Sequence, residues 1–418
     1  MTFVQVPLKR MVQLNPEVLA ETTPGDYAFE YIDIGNVSRA TGIVGTETVN
    51  FATAPSRARR VVRRGDVLVS TVRTYLRAIV QVDATHDGQV CSTGFAVLRP
   101  TTVDAPFLSY ALQERGFVDE MVACSTGVSY PAISPEDLVR LSILRPDAST
   151  QRAMADFLDR ECERVAELVA RLADATSLAR LAAAAAVDEL VVVTDAPRVK
   201  VRHLTTLITS GPRGWSDHER DGGTVPFLGI AALHRDSVEV RSAALRWLEP
   251  PDNAERARAS TQEGDVLVSI TAELGTVCVT RASAAGAVIS QHVALLRPDL
   301  RHVVPDWLAY SLRSTSGKRQ LADLGRGGTK QGLSLDDVGA PLMSVPHPTE
   351  QRARLVEIGR REGTSAGLVA VAEQTAARLA EYRDALITDA VTGQLDVTAV
   401  SDAQMDERMQ EAAETATA

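Results

Sequence analysis

The chain has 418 residues, a formal net charge of −10, 45% hydrophobic residues and 4% aromatic residues. That length exceeds what one core usually organises, so two or more domains are expected. The longest small-apolar run, 181–187, is too short to cross a bilayer, and residues 1–10 lack the apolar core of a signal peptide, so a cytoplasmic protein without a membrane partner is expected.

In chain order, short β-rich runs come first: Phe29–Ile34, Asp66–Ser70 and Gly94–Leu98, bounded by Gly, Pro and Asp turn signals. A short helix is predicted near Ala105–Gln113, followed by a Gly-containing loop, Ser125–Tyr130. Ser134-Pro135-Glu136-Asp137 then offers a capping Ser, a Pro at the first helical position and acids in the first turn.

A long helix is predicted from about Ser149 to Leu190. Met154, Leu158, Val165, Leu168 and Leu172 form a heptad seam on it, interrupted by Glu161. Asp195-Ala196-Pro197 closes it. A second long helix runs from about Thr349 to Val391, with Leu368, Leu379, Tyr382 and Leu386 on its seam. Gly359, Gly363 and Gly367 weaken its first half and are expected to bend it. One seam in each half points to antiparallel pairing of the two helices, which would hold two globular domains apart. Packing of each helix on its own domain is the alternative. Residues 398–418, rich in Ala, Glu, Asp and Thr, read as a disordered acidic tail.

The chain repeats itself. Gly65–Ser70 (GDVLVS) recurs identically at Gly264–Ser269, and Ala96–Pro100 as Ala294–Pro298. Phe107–Leu112 recurs as Trp307–Leu312, Ile133–Leu138 as Leu333–Val338, and Gln151-Arg152 as Gln351-Arg352. The order is kept and the offsets differ by no more than two residues, so two tandem units are expected. The fold class is therefore α+β with pseudo-twofold character. It comprises β-rich domains at 1–147 and 198–347, helical segments at 148–197 and 348–397, and the tail at 398–418.

Catalytic signatures are missing: no Walker A run, no Gly-x-Ser-x-Gly elbow, and no metal-ligand spacing among seven His and four Cys. Asn15-Pro16-Glu17 begins like the Asn-Pro-Pro-aromatic motif of amino-methyltransferases but lacks its second half. Cys91, Cys124, Cys162 and Cys278 read as reduced residues filling small gaps, and His292 as a structural histidine. A binder is favoured over an enzyme, with no catalytic residue, metal or cofactor expected in this chain.

The acidity is unevenly spread. Residues 1–147 carry 14 Lys+Arg against 16 Asp+Glu, and 198–347 carry 18 against 16, whereas 148–197 carry 5 against 9 and 348–418 carry 7 against 13. Basic clusters sit inside the near-neutral globular parts. Arg57, Arg59, Arg60, Arg63, Arg64, Arg73 and Arg77 share residues 57–77 with one acid, Asp66, and with Tyr75. Guanidinium groups suit phosphate contact and guanine readout, so these residues are candidates for binding nucleic acid, with Ser129 and Tyr130 on the following loop. In the second unit the candidates are Arg213, Trp215, Arg256, Arg258, Lys318, Arg319, Arg326, Lys330 and Gln331.

Together these segments resemble the specificity subunit of type I restriction–modification systems. The resemblance rests on GDVLVS in both units, on the stretches 131–172 and 333–359, on Thr150-Gln151 and Glu350-Gln351 opening the long helices, and on Tyr382–Val397. It covers roughly residues 1–397. One departure is the turn after GDVLVS, which lacks Gly in the first copy (Thr71–Arg77) but keeps Leu274-Gly275 in the second. The resemblance implies two target recognition domains, each reading half of a bipartite double-stranded DNA site, separated by a coiled-coil spacer of antiparallel helices. Two methyltransferase subunits carrying S-adenosylmethionine would dock on this chain, and restriction subunits using ATP and Mg²⁺ would join them in phage defence. The competing readings are a fused methyltransferase or nuclease polypeptide and a coiled-coil protein scaffold.

Overall fold

The computed structural model describes residues 3–39, 42–127, 130–220, 222–251, 253–325 and 332–414. The chain divides into two units, Met1–Ala175 with Val371–Ala418, and Thr176–Ala370. Each is α+β.

In the first unit, strands Val12–Leu14, Phe95–Pro100, Val67–Ser70 and Ile79–Gln81 pair antiparallel in that order. A second sheet orders Glu47–Asn50, Ala28–Ile32, Val90–Ser92 and Ala58–Val61, with its two central strands parallel. The strand Val67–Ser70 is buried on both faces, which is why it reads as a continuous apolar run. Val67, Val69, Ala96 and Leu98 face the helices Ala105–Gln113 and Arg115–Ala123, together with Met154 and Leu158. The alternate residues Leu68, Phe95 and Val97 pack with Ile32 and Cys91 of the second sheet.

The second unit repeats this plan. Thr205–Ser210, Val293–Pro298, Val266–Ser269 and Val277–Val279 form one antiparallel sheet. Arg246–Leu248, Val225–Leu228 and Val288–Ile289 form another, the last two strands parallel. Val266, Val268, Ala294 and Leu296 pack with Trp307 and Leu308, while Leu267 and Leu295 pack with Phe227 and Trp215.

The repeated segments are structural joints. Gly65 and Gly264 stand at φ 88° and 87°, a left-handed conformation that glycine adopts without penalty. The acid after each is almost fully buried and holds the arginine of the second repeated segment. Asp66 accepts from Arg99 at 2.8 and 2.9 Å, and Asp265 accepts from Arg297 at 2.9 and 2.8 Å. Gln151 and Gln351 are buried at the start of the long helices. Gln151 accepts from the Asp104 backbone N–H (2.9 Å) and donates to the Pro146 carbonyl (2.8 Å). Gln351 accepts from Val304 (2.8 Å) and donates to the carbonyls of His302 and Pro346 (2.9 and 2.8 Å).

The long helices are Ala148–Val191 and Pro348–Thr392. Within the first unit Val165 packs with Leu379, and Met154 and Leu158 share a core with Leu386 and Ile387. Within the second, the Ser365 hydroxyl donates to the Ala179 carbonyl (2.7 Å), Arg361 pairs with Glu189 (3.0 Å), and Val187 and Val191 share a core with Ile358. In each unit, rising numbers on one helix meet falling numbers on the other, so the pairing is antiparallel. It combines both sequence expectations, because the same residues also pack on the globular cores.

Several details differ from the sequence reading. Leu168 and Leu368 are 36% and 61% exposed, so the seam is not continuous through them, while Leu172 and Tyr382 are partly buried against it. Glu161 is wholly buried and held by Arg160 (3.1 Å) and Arg164 (2.9 Å), so the polar interruption is compensated by ion pairing. The second helix runs unbroken through Gly359, Gly363 and Gly367, where an added Cβ would meet nothing within 4 Å.

The tail is not disordered over its described length. Asp402–Glu414 is a helix whose Met405 and Met409 are buried, Met409 against Val165 and Leu379. Arg164 pairs with its Asp406. Two methionines four residues apart form an apolar face that an acidic average conceals. Of the cysteines, Cys91, Cys162 and Cys278 are buried as expected, whereas Cys124 is exposed. Burial pushes the Cys91 thiol up to about 12 and the Cys278 thiol to about 11.

Candidate nucleic-acid interface

Three loops meet at one corner of each unit. In the first, the Thr71 N–H donates to the Gly94 carbonyl (2.8 Å), Ile133 to Thr71 (2.9 Å) and Arg73 to Pro131 (2.7 Å). In the second, Ile270 donates to His292 (3.0 Å) and Leu333 to Ile270 (2.9 Å), while Thr271 bridges to Gly332. These residues correspond at the offsets of the repeated segments.

The backbone equivalence extends into the first copy's turn without glycine. Arg73 and Ala272 stand at matching positions with φ 52° and 59°, and Arg77 (φ 54°) matches Gly275 (φ 76°). A left-handed conformation costs a non-glycine residue roughly 1–2 kcal/mol, so the arginines are held there against a local preference. The missing glycine therefore leaves the turn's conformation intact and places a long cation where the second copy has a methyl group.

The Arg73 guanidinium lies 4.6 Å from the Tyr130 ring centroid, a cation–π stack that fixes its direction. Tyr75 and Tyr130 are 52% and 65% exposed. Ser129 lies outside the described residues. Arg73 and Arg64 are exposed, and neither forms an ion pair among the described residues. The guanidinium of Arg59 lies 4.6 Å from the Phe51 ring centroid.

The other arginines of 57–77 do structural work that a window count does not show. Arg57 pairs with Asp33 at 2.8 Å and donates to the Tyr31 hydroxyl. Arg63 pairs with Glu17 (2.7 Å), which also accepts from Arg99 (2.6 Å). The hydrogen bonds from Arg63 and Arg99 hold the Glu17 carboxyl at about 2. Arg77 lies 3.7 Å from Asp384 on the second long helix. Arg60 is partly buried, donates to the Phe95 carbonyl, and has its pKa lowered by that burial. Seven arginines against one acid in sequence thus become a cluster threaded with Glu17, Asp33 and Asp384 in space. Arg59, Arg64, Arg73, Tyr75 and Tyr130 are the better interface candidates.

In the second unit, Trp215 is 5% exposed and belongs to the core between the sheets, with one edge in a cleft of about 270 Å³. It is a wall of the cleft, not the surface aromatic that its turn context implied. Arg213 is exposed beside it. Arg256 and Arg258 lie on the short helix Ala254–Ala259, which packs on strands Thr205–Ser210 and Val288–Ile289. Lys318 and Arg319 are exposed on helix Thr315–Leu324. Arg326, Lys330 and Gln331 lie outside the described residues. Sequence reasoning missed Thr271, Gln291 and His292, which the corner brings together; the repeat alignment could have found them, since they match Val72, Thr93 and Gly94.

No family model matches the chain. It is 22% identical over 437 positions to the type I restriction enzyme HindI specificity subunit of Haemophilus influenzae, covering 84% of this chain and 90% of that protein. A chain solved in a study of complex assembly and conformational transition of the type I R-M system superposes with a TM-score of 0.73 at 25% identity, covering 94% and 98% of the two chains. The HsdS subunit from Thermoanaerobacter tengcongensis gives a TM-score of 0.50, also at 25% identity, covering 94% and 97%. The duplicated β-rich units, the long antiparallel helices and this near full-length likeness agree: over most of its length the chain is similar to the specificity subunits of type I restriction–modification systems.

Proposed function

We propose that this chain is the non-catalytic subunit that reads a bipartite duplex DNA site for its restriction–modification complex, each unit reading one half. The observation that carries this reading is the pair of corners: one backbone arrangement, built twice, presenting Arg73 and Tyr130 in one unit and Thr271, Gln291 and His292 in the other. Equivalent platforms with different side chains are what two half-sites of different sequence require. An arginine held on an aromatic ring presents a donor fork suited to the O6 and N7 of guanine, and neighbouring arginines suit phosphates.

The chain acts with methyltransferase and restriction subunits. Two methyltransferase subunits, matching the two units, hold S-adenosylmethionine, and the restriction subunits use ATP and Mg²⁺; all of this takes place in the cytoplasm. The test is duplex binding by the complex assembled with its methyltransferase subunit, across a panel of sequences. One target is bound in preference to all others, and affinity falls as salt rises. Arg73→Glu weakens target binding by about tenfold or more and relaxes only the first unit's half-site. Equal affinity for all duplexes would overturn the reading.

A further inference from the structure

At the cleft beside the second unit's corner, Thr271, His292 and Gln291 form a chain of side-chain hydrogen bonds. His292 Nδ1 lies 2.9 Å from Thr271 Oγ1, and its Nε2 lies 3.1 Å from Gln291 Nε2. The Gln291 amide N–H donates to Nε2, so the ring proton sits on Nδ1 and donates to Thr271. The turn beneath is pinned on several sides. Ser290 donates its N–H to Leu228 (2.9 Å), Val293 to Ser290 (3.1 Å) and Gly211 to Ser290 (3.3 Å). A Cβ at Gly211 would fall 1.8 Å from the Ile289 carbonyl oxygen, so only glycine permits this approach.

The imidazole occupies one amide N–H of Gln291. The amide's carbonyl oxygen and second N–H remain as an adjacent acceptor and donor on a half-buried side chain at the mouth of a cleft walled by Trp215, Phe227 and Arg246. Arg246 is itself engaged, pairing with Glu219 at 2.6 Å and lying 5.0 Å from the Phe227 ring centroid. An adjacent acceptor and donor complement N6–H and N7 of adenine in the major groove and match no other base edge there as a pair. At the equivalent place the first unit has Thr93, whose single hydroxyl cannot make that pair.

We infer that Gln291 reads an adenine in the second unit's half-site, with His292 and Thr271 as positioning residues that orient its amide. This rests on the DNA-reading function proposed above and adds a base and a residue to it. The test uses the complex with its methyltransferase subunit and a panel in which each base pair of both half-sites is varied. Gln291→Ala abolishes discrimination, by roughly ten- to a hundredfold, at one A·T position of one half-site. Gln291→Glu, an acceptor only, shifts that position toward cytosine. His292→Ala relaxes the same position by a smaller factor and adds nothing to Gln291→Ala in the double variant. Retained discrimination in the other half-site shows that each variant is folded and assembled. If Gln291→Ala weakens all sequences alike, relaxes a G·C position or changes nothing, the inference is wrong while the recognition function stands. A parent complex without any sequence preference overturns the function itself.

Discussion

The two units share their joints and differ at their corners. Asp66 and Asp265 are equally buried and bind equivalent arginines, yet the surroundings differ: Arg99 has a second carboxylate in Glu17, whereas Arg297 has only Asp265 among the described residues. At the corners the relation reverses. The backbone is the same at Arg73 and Ala272, and the side chains have nothing in common. Duplication preserved what holds the strands and helices in register and released what faces outward.

The largest expected effect tests the joints. Asp265→Ala strands the Arg297 guanidinium and destabilises the second unit by about 3–5 kcal/mol. Asp66→Ala costs the first unit less, because Glu17 still pairs with Arg99. Urea denaturation with hydrogen exchange resolved by segment measures both, and equal losses would show that Glu17 contributes nothing to the joint.

Next come the glutamines. Gln351→Ala leaves three backbone partners without their bonds and Gln151→Ala two, one of them buried in each case, so each loses about 1–3 kcal/mol, the second-unit variant more. The same exchange measurement, read at the starts of the long helices, gives the order; a reversed order would mean that water replaces the lost partners better at Gln351.

The smallest effect is a pH dependence. Glu17 is held at about 2 against an ordinary 4.5, so its contribution is complete above about 4.5 and is withdrawn as pH falls from there toward about 2. Glu17→Gln flattens the acid dependence of the first unit across that window and leaves the second unit unchanged. An unaltered slope in the first unit would show that the Arg63 and Arg99 contacts are not maintained in solution.

Much of the scaffold was legible in the sequence. Identical GDVLVS runs and paired Gln-Arg dipeptides located the joints, and heptad spacing located the helices within a residue or two. The seam was less legible, because burial of Leu168 and Leu368 depends on what covers them and not on their spacing. The tail helix was hidden by averaging, since two methionines on one face outweigh the acids around them. The candidate site was the least legible. The Arg57–Arg77 window could not show that Glu17, Asp33 and Asp384 come from distant segments to pair with it. Trp215 looked like a turn aromatic because its turn is a surface feature, while its side chain fills the space between two sheets. Gln291 and His292 carried no motif; only the three-loop corner gives them a shared purpose.

The buried glutamines at the helix starts have an evolutionary corollary. Each couples its helix to backbone atoms alone: an N–H before the short helix and a carbonyl before the long one. A connection made to the main chain imposes no demand on the side chains of the domain it joins. Loops at the corner can therefore drift without any compensating change in these two glutamines. The glutamine joint thus constrains the backbone of each unit and leaves the composition of its loops open to change.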